Sequence, residues 1–306
     1  MRANRWIVYQ QERFPLAGHA PLVAAFSGSA VSFSALLRDP AGVPGWPPAM
    51  VAFATSLLFF LQLRIADEFK DAAEDARYRP YRPVPRGLVT LAELRAIGLG
   101  AAIVQAALAI WLSASLLTLL VPVWVYLLFM QREFFAARWL RDRPIAYIAT
   151  HMTIVPLIDL YATACDWRVA GLHHPPAALS WFLLVSLCNG FVIEVGRKIR
   201  APMDEEHGVQ TYTSLWGRHG ATLVWMAALA AAGASALVAA WSVEMTLPLA
   251  AALFALLGLC VAAARRFLSA PLPASGKRFE ALSWLWTVSM YLTLGLVPLV
   301  WHALEA

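Results

Sequence analysis

Asp67, Asp71 and Asp75 recur every four residues where the apolar run Trp46 to Leu63 gives way to the polar segment Arg79-Pro80-Tyr81-Arg82-Pro83-Val84-Pro85-Arg86-Gly87. Side chains four apart share one helix face, so the spacing predicts a row of three stacked carboxylates. At the end of a helix such a row does little for stability, because the carboxylates repel one another and meet the negative end of the helix dipole. A divalent cation reverses that balance. Hard carboxylate oxygens hold Mg²⁺, the metal bridges phosphate oxygens, and Arg or Lys neutralises the remaining charge. A second segment of mixed charge, Glu194 to Tyr212, contains Arg197, Lys198, Arg200, Asp204, Glu205 and Glu206. Acid beside base at both places suits a bound diphosphate.

The elements that position these groups are apolar. Of 306 residues, 60% are hydrophobic and 14% charged, and no charge occurs between Ala96 and Gln131. This composition predicts an integral membrane protein, an all-α bundle of about nine transmembrane helices near 20–37, 46–66, 93–113, 116–131, 144–163, 178–196, 219–242, 246–264 and 281–302. Of the 24 Lys and Arg residues, only Arg38 and Arg168 fall outside when the N-terminus is placed in the cytoplasm. That bias predicts a cytoplasmic N-terminus and an external C-terminus. The chain reads as one domain over 1–306, with a cytoplasmic segment at 1–18 and active-site segments at 64–92 and 197–218, all on the cytoplasmic face of the cell inner membrane. Met1 to Gly18 lacks the apolar core of a cleavable signal. The net charge of +5 reflects topology and anionic phosphate chemistry and gives no reason to invoke nucleic acid. Cys165, Cys188 and Cys260 have no metal-ligand spacing and are expected to pack.

Two ionisable residues lie within the fifth predicted span. Asp159 follows His151 by eight residues, on nearly the same helical face. Intramembrane ionisable groups face a cavity or the bundle interior, which makes both candidates for binding or deprotonating an acceptor. Gln62 and Arg64 lie a turn deeper than the aspartate row, and Arg64 at that depth needs an anionic partner.

The segment Asp67-Glu68-Phe69-Lys70-Asp71-Ala72-Ala73-Glu74-Asp75, followed by Arg79 to Gly87, resembles the first signature of the UbiA superfamily of intramembrane prenyltransferases, N-D-x-x-D-x-x-x-D and then R-P-x-R-P-x-P-x-G. Asp204, Gly208 and Thr211 keep the spacing of the second signature, while its earlier aspartate falls at Arg200, a reversal of charge. The resemblance implies that a polyprenyl diphosphate enters from the membrane lipid, its headgroup on two Mg²⁺ ions, and that loss of diphosphate gives an allylic cation which a small acceptor, often aromatic, attacks. It implies Asp67, Glu68, Asp71, Asp75, Glu194, Asp204 and Glu205 as metal ligands, with Asp67, Asp71, Asp75 and Asp204 central to catalysis. Arg82, Arg132, Arg197, Lys198, Arg200 and Tyr212 are then the expected diphosphate contacts. Within the same superfamily, a terpene cyclase uses the substrate's own double bond as nucleophile. A transporter or lipid-binding protein without chemistry is the alternative from another class.

Overall fold

Inside a bilayer an isolated apolar segment satisfies its backbone only as a helix. The computed structural model describes residues 4–38 and 42–305, and among them every regular element is helical. A short helix α1 (Arg5–Arg13) precedes α2 (Leu16–Leu36) and α3 (Trp46–Lys70). Then come α4 (Ala72–Tyr78), α5 (Leu91–Leu112), α6 (Leu117–Gln131), α7 (Ala137–Arg141), α8 (Pro144–Met152), α9 (Ile154–Trp167) and α10 (Leu179–Gly196). The chain closes with α11 (Tyr212–Trp241), α12 (Thr246–Ser269), α13 (Gly276–Leu294) and α14 (Leu296–Glu305).

Nine helical stretches among the described residues are long and apolar enough to cross a membrane, the fifth being α8 with α9 and the ninth α13 with α14. The expected spans differ from these mainly at their ends. The second runs on to Lys70, which carries Asp67 inside α3. The seventh begins at Tyr212 as a single turn that breaks at Gly217, where φ is 67°, and the predicted start at 219 falls just past that break. Arg2, counted among the cytoplasmic charges, lies outside the described residues.

Two internal helices organise the packing. α2 lies against α3, α9, α13 and α14, and α10 lies against α8, α9, α11 and α13. Their shared core stacks Phe33 on Phe182 with ring centroids 4.9 Å apart, and Phe26 and Phe182 both meet the edge of Tyr291. By contrast α5, α6 and α12 show Leu99, Ile103, Trp111, Phe129, Phe254 and Leu259 to the outside. An apolar surface of that extent is what lipid covers. Cys165 and Cys260 are buried in the bundle.

The row of aspartates is not one uninterrupted helix. α3 ends at Lys70, Asp71 caps it at φ −88° and ψ 0°, and α4 starts at Ala72. The ladder nevertheless carries through, because Asp71 N donates to Asp67 O at 2.9 Å and Asp75 N to Asp71 O at 2.8 Å. Below this site the helix α1 is strapped across the bundle. Tyr9 packs with Ile65, Val89 and Leu94, while Arg5 pairs with Glu93, Glu12 with Arg86, and Arg13 with Glu68. Burial, then the nearby Glu68 carboxylate, pushes the Tyr9 phenol above its ordinary pKa.

Gly295 joins α13 to α14 where the chain crosses α2. A Cβ there would lie 2.4 Å from both the Cα and the O of Ser29, so only a residue without a side chain permits this approach. Gly295→Ala is expected to destabilise the protein by roughly 1–3 kcal/mol, as overpacking does, and to lower the melting temperature in detergent. Gly258→Ala on α12, where a Cβ meets nothing within 4 Å, should leave it unchanged.

Candidate active site

A carboxylate can bind a ligand only if the protein has not already committed its lone pairs, and the first segment sorts its acids on that basis. Asp75 is buried to 2% exposure, and Arg82 donates to both of its oxygens at 2.9 and 2.7 Å while Arg79 adds a contact of 3.1 Å. Arg82, expected on the diphosphate, therefore sits on Asp75 and holds the Pro-Arg hairpin in place. Glu68 is equally buried and paired with Arg13. Asp67 differs: its side chain is 51% exposed, and among the described residues its one ion pair is with Arg64 at 3.3 Å. Asp71 is half-buried and, among the described residues, has no cation within salt-bridge distance. Asp67 and Asp71 are thus the two acids of the row open to a ligand.

The second segment begins on the last turn of α10. Buried Glu194 accepts from Arg197, from Lys198 at 2.7 Å and from the Tyr212 hydroxyl at 3.2 Å. Tyr212 stacks on Trp216, centroids 4.8 Å apart, and Lys198 Nζ lies 5.4 Å from the centroid of the Tyr212 ring. Burial opposes the charge on Arg197, but Glu194 more than offsets this and holds its pKa above the ordinary guanidinium value, with Asp67 adding to the effect. That influence of Asp67 ties the two segments electrostatically. They also touch, since a Cβ on Gly208 (φ 78°) would come within 2.8 Å of the Tyr78 ring on α4.

Farther along, the acids of this segment turn to local partners. Asp204 Oδ2 accepts from Ala274 N at 2.7 Å, which fastens the loop to the start of α13. Glu205 accepts from the hydroxyls of Thr211 and Thr213, and Thr211 also caps α11 in a box with Ser214. Arg200 leans on the same region: its N–H donates to Thr213 Oγ1 at 3.0 Å, and its Nη1 lies near Gly276. The structure thus does not bring Asp204 and Glu205 together with Asp67 and Asp71 as one acidic cluster. Among the described residues no three His, Cys, Asp or Glu converge as a metal site. Asp67 and Asp71 do fit a single Mg²⁺, which takes one or two carboxylates and keeps positions for water and phosphate oxygens. Glu194, expected as a metal ligand, already carries two cations of the protein itself.

One cluster was not foreseen from the sequence. Lys70 bridges the Tyr147 hydroxyl and Glu133, and Glu133 Oε2 lies 3.7 Å from His151 Nε2. Tyr147 stacks on His151 with centroids 3.9 Å apart, and Phe134 meets both His151 and Tyr126 edge-on. The turn that delivers Glu133 is strained: Glu133, Phe134 and Phe135 have φ of 48°, 51° and 58°. Each left-handed residue of this kind costs about 1–2 kcal/mol, and such strain gathers at functional sites. The available signal was Glu133 itself, an acid placed directly after Arg132 at the end of a charge-free span.

The remaining expected residues separate clearly. Arg132 is exposed at the start of the strained turn. Asp159 lies deep in the bundle, fully buried, where Tyr291 donates to it at 3.1 Å and Ser186 also donates. Gln62 bridges α3 to Gly98 O of α5 at 3.1 Å, and Arg64 finds its partner in Asp67.

Comparison with known proteins agrees with the fold. Among the solved structures that share it are two that cover most of this chain. One is the apo structure of a UbiA homolog from Aeropyrum pernix K1, with TM-score 0.61, 16% identity, and coverage of 87% of this chain and 96% of that one. The other, from a study of digeranylgeranylglyceryl phosphate synthase in membranes, has TM-score 0.59, 12% identity, and coverage of 97% and 99%. No curated protein matches the chain. The sequence profile of the UbiA prenyltransferase family matches residues 28–288. Its members are intramembrane prenyltransferases that generally use Mg²⁺ with diphosphate substrates, and this multi-pass membrane protein belongs to that family.

Proposed function

We propose that the chain transfers a polyprenyl group from a polyprenyl diphosphate to a small acceptor, aromatic in the simplest case, within the membrane. The observation that carries this reading is the sorting of charge between the two segments: Asp67 and Asp71 are open to a ligand, while Arg197, close enough to Asp67 to feel its charge, and Lys198 are held on Glu194 in the second segment. Asp67 and Asp71 would hold one Mg²⁺, which when bound neutralises diphosphate charge and favours its departure. Arg197 and Lys198 supply fixed positive charge on the other side, where the superfamily pattern has a second acid-bound metal. Tyr212 orients Glu194, which keeps those two cations in position. We place this mouth and the N-terminus in the cytoplasm, on the strength of the Lys and Arg bias. A membrane-impermeant maleimide should then label Glu74→Cys only in inverted vesicles and His174→Cys only in right-side-out ones; the opposite pattern reverses the topology.

The direct test is purified protein in nanodiscs with geranylgeranyl diphosphate, Mg²⁺ and candidate acceptors, reading diphosphate release and product mass. The variant Asp67→Asn with Asp71→Asn should lower Mg²⁺-dependent release by about a hundredfold or more while the melting temperature changes little, since the ion pair it removes, Asp67 with Arg64, is long and part-exposed and the Asn amide oxygen can still accept from Arg64. Full release by that variant sinks the assignment. A cyclic hydrocarbon formed without acceptor would instead identify a cyclase.

Asp75→Asn should behave differently. It leaves Arg79 and Arg82 without their carboxylate, and breaking a largely buried pair costs roughly 3–5 kcal/mol. Loss of thermal stability, read by fluorescence-detected chromatography after heating, is expected alongside loss of activity. A wild-type melting curve would show that Asp75 is free to act as a ligand.

A further inference from the structure

The cluster of Lys70, Glu133, Tyr147 and His151 contains a buried group with nothing to bind. His151 is 8% exposed, and its Nδ1 lies 2.9 Å from the Tyr147 carbonyl oxygen, which can only accept. Nδ1 must therefore carry the hydrogen, which leaves Nε2 of the neutral ring with a bare lone pair. Nε2 is buried and has no hydrogen-bond partner. Glu133 Oε2, 3.7 Å away, is also an acceptor. Neither acceptor can donate to the other, so Nε2 calls for a donor from elsewhere. A second orphan lies close by. Asn189 on α10 is 1% exposed with both amide atoms unpartnered. It precedes Gly190, where a Cβ would meet Met152, the residue after His151, at 3.1 Å. Unpaired buried polar groups are costly unless a ligand or water completes them.

Resting on the prenyl-transfer reading, we propose that this cluster binds the acceptor, and that the acceptor carries a hydroxyl which donates to His151 Nε2. Phe134, Tyr126 and Tyr147 provide aromatic walls, and Lys70, bound to Glu133, offsets negative charge that develops on the acceptor oxygen. The reaction balances as follows. The allylic C–O bond breaks and its electron pair leaves on diphosphate; the acceptor forms one new bond to the allylic carbon, at the hydroxyl oxygen or at a ring carbon conjugated to it. One proton passes to His151 Nε2, and the imidazolium is then stabilised by Glu133. Glu133 is a positioning residue, held toward His151 by the left-handed turn.

The test uses the full chain in nanodiscs with geranylgeranyl diphosphate, Mg²⁺ and phenol as the probe acceptor, with anisole as the probe lacking a donor. The readout is the ratio of prenylated phenol to geranylgeraniol, the product of interception by water. Wild type should prenylate phenol and not anisole. His151→Gln should lower the ratio at least tenfold and Glu133→Gln at least threefold, while His219→Gln, at an exposed position on α11, keeps the wild-type ratio. Glu133→Gln decides the matter if His151→Gln fails to fold. An unchanged ratio in both variants, equal use of anisole, or geranylgeraniol as the sole wild-type product with phenol present overturns the acceptor assignment alone. No diphosphate release by wild type overturns the prenyl-transfer reading and this role with it.

Discussion

Charges at the level of a membrane headgroup region need partners, and the rest of this site follows from how those partners are allotted. Arg79 and Arg82 take Asp75, Arg13 takes Glu68, Arg197 and Lys198 take Glu194, and Lys70 takes Glu133. Each pair lies at least partly in low dielectric, where an unpaired charge is expensive. Four of the acids at this mouth therefore serve to position cations. Asp67, with only a long contact to Arg64, and Asp71 remain available. The acidic row looks uniform in sequence but divides into a buried, doubly paired carboxylate and two open ones.

The same allotment explains why the second segment departs from the superfamily pattern without losing its sense. A diphosphate needs positive charge on more than one side, and a guanidinium or an ammonium supplies it as a metal does, with directional hydrogen bonds in the case of arginine. Glu194 with Arg197 and Lys198 makes a prearranged cationic edge. The loop that follows is pinned at three points, by Asp204 to Ala274, by Glu205 to two threonines, and by Gly208 against Tyr78. The last of these contacts joins the two segments although more than a hundred residues separate them.

Much of the fold was legible because a bilayer makes length and hydropathy nearly sufficient: nine spans were expected and nine such stretches occur among the described residues. Their ends were less legible where a single glycine breaks the helix, as at Gly217. At the site, the four-residue spacing located Asp67, Asp71 and Asp75, but spacing cannot say which carboxylate a distant arginine will claim. Arg82 on Asp75 and Arg13 on Glu68 depend on the hairpin and on α1 folding back. Arg200, whose charge marks the irregular motif, leans toward Gly276. Glu133 was hidden for a different reason. Its position depends on three consecutive left-handed residues, a conformation that the sequence Glu-Phe-Phe does not favour and that tertiary contacts impose.

The central claim is that one diphosphate headgroup sits between Asp67 and Asp71 on one side and Arg197 and Lys198 on the other. A cryo-EM or crystal structure with a non-hydrolysable prenyl thiodiphosphate and Mn²⁺, the metal located by its anomalous signal, tests it most directly. Prenyl transfer at this mouth predicts a metal bound by Asp67 and Asp71, with thiodiphosphate oxygens on Arg197 and Lys198. Metal bound instead by Glu194, Asp204 and Glu205, or thiodiphosphate bound away from Asp67 and Asp71, would contradict it.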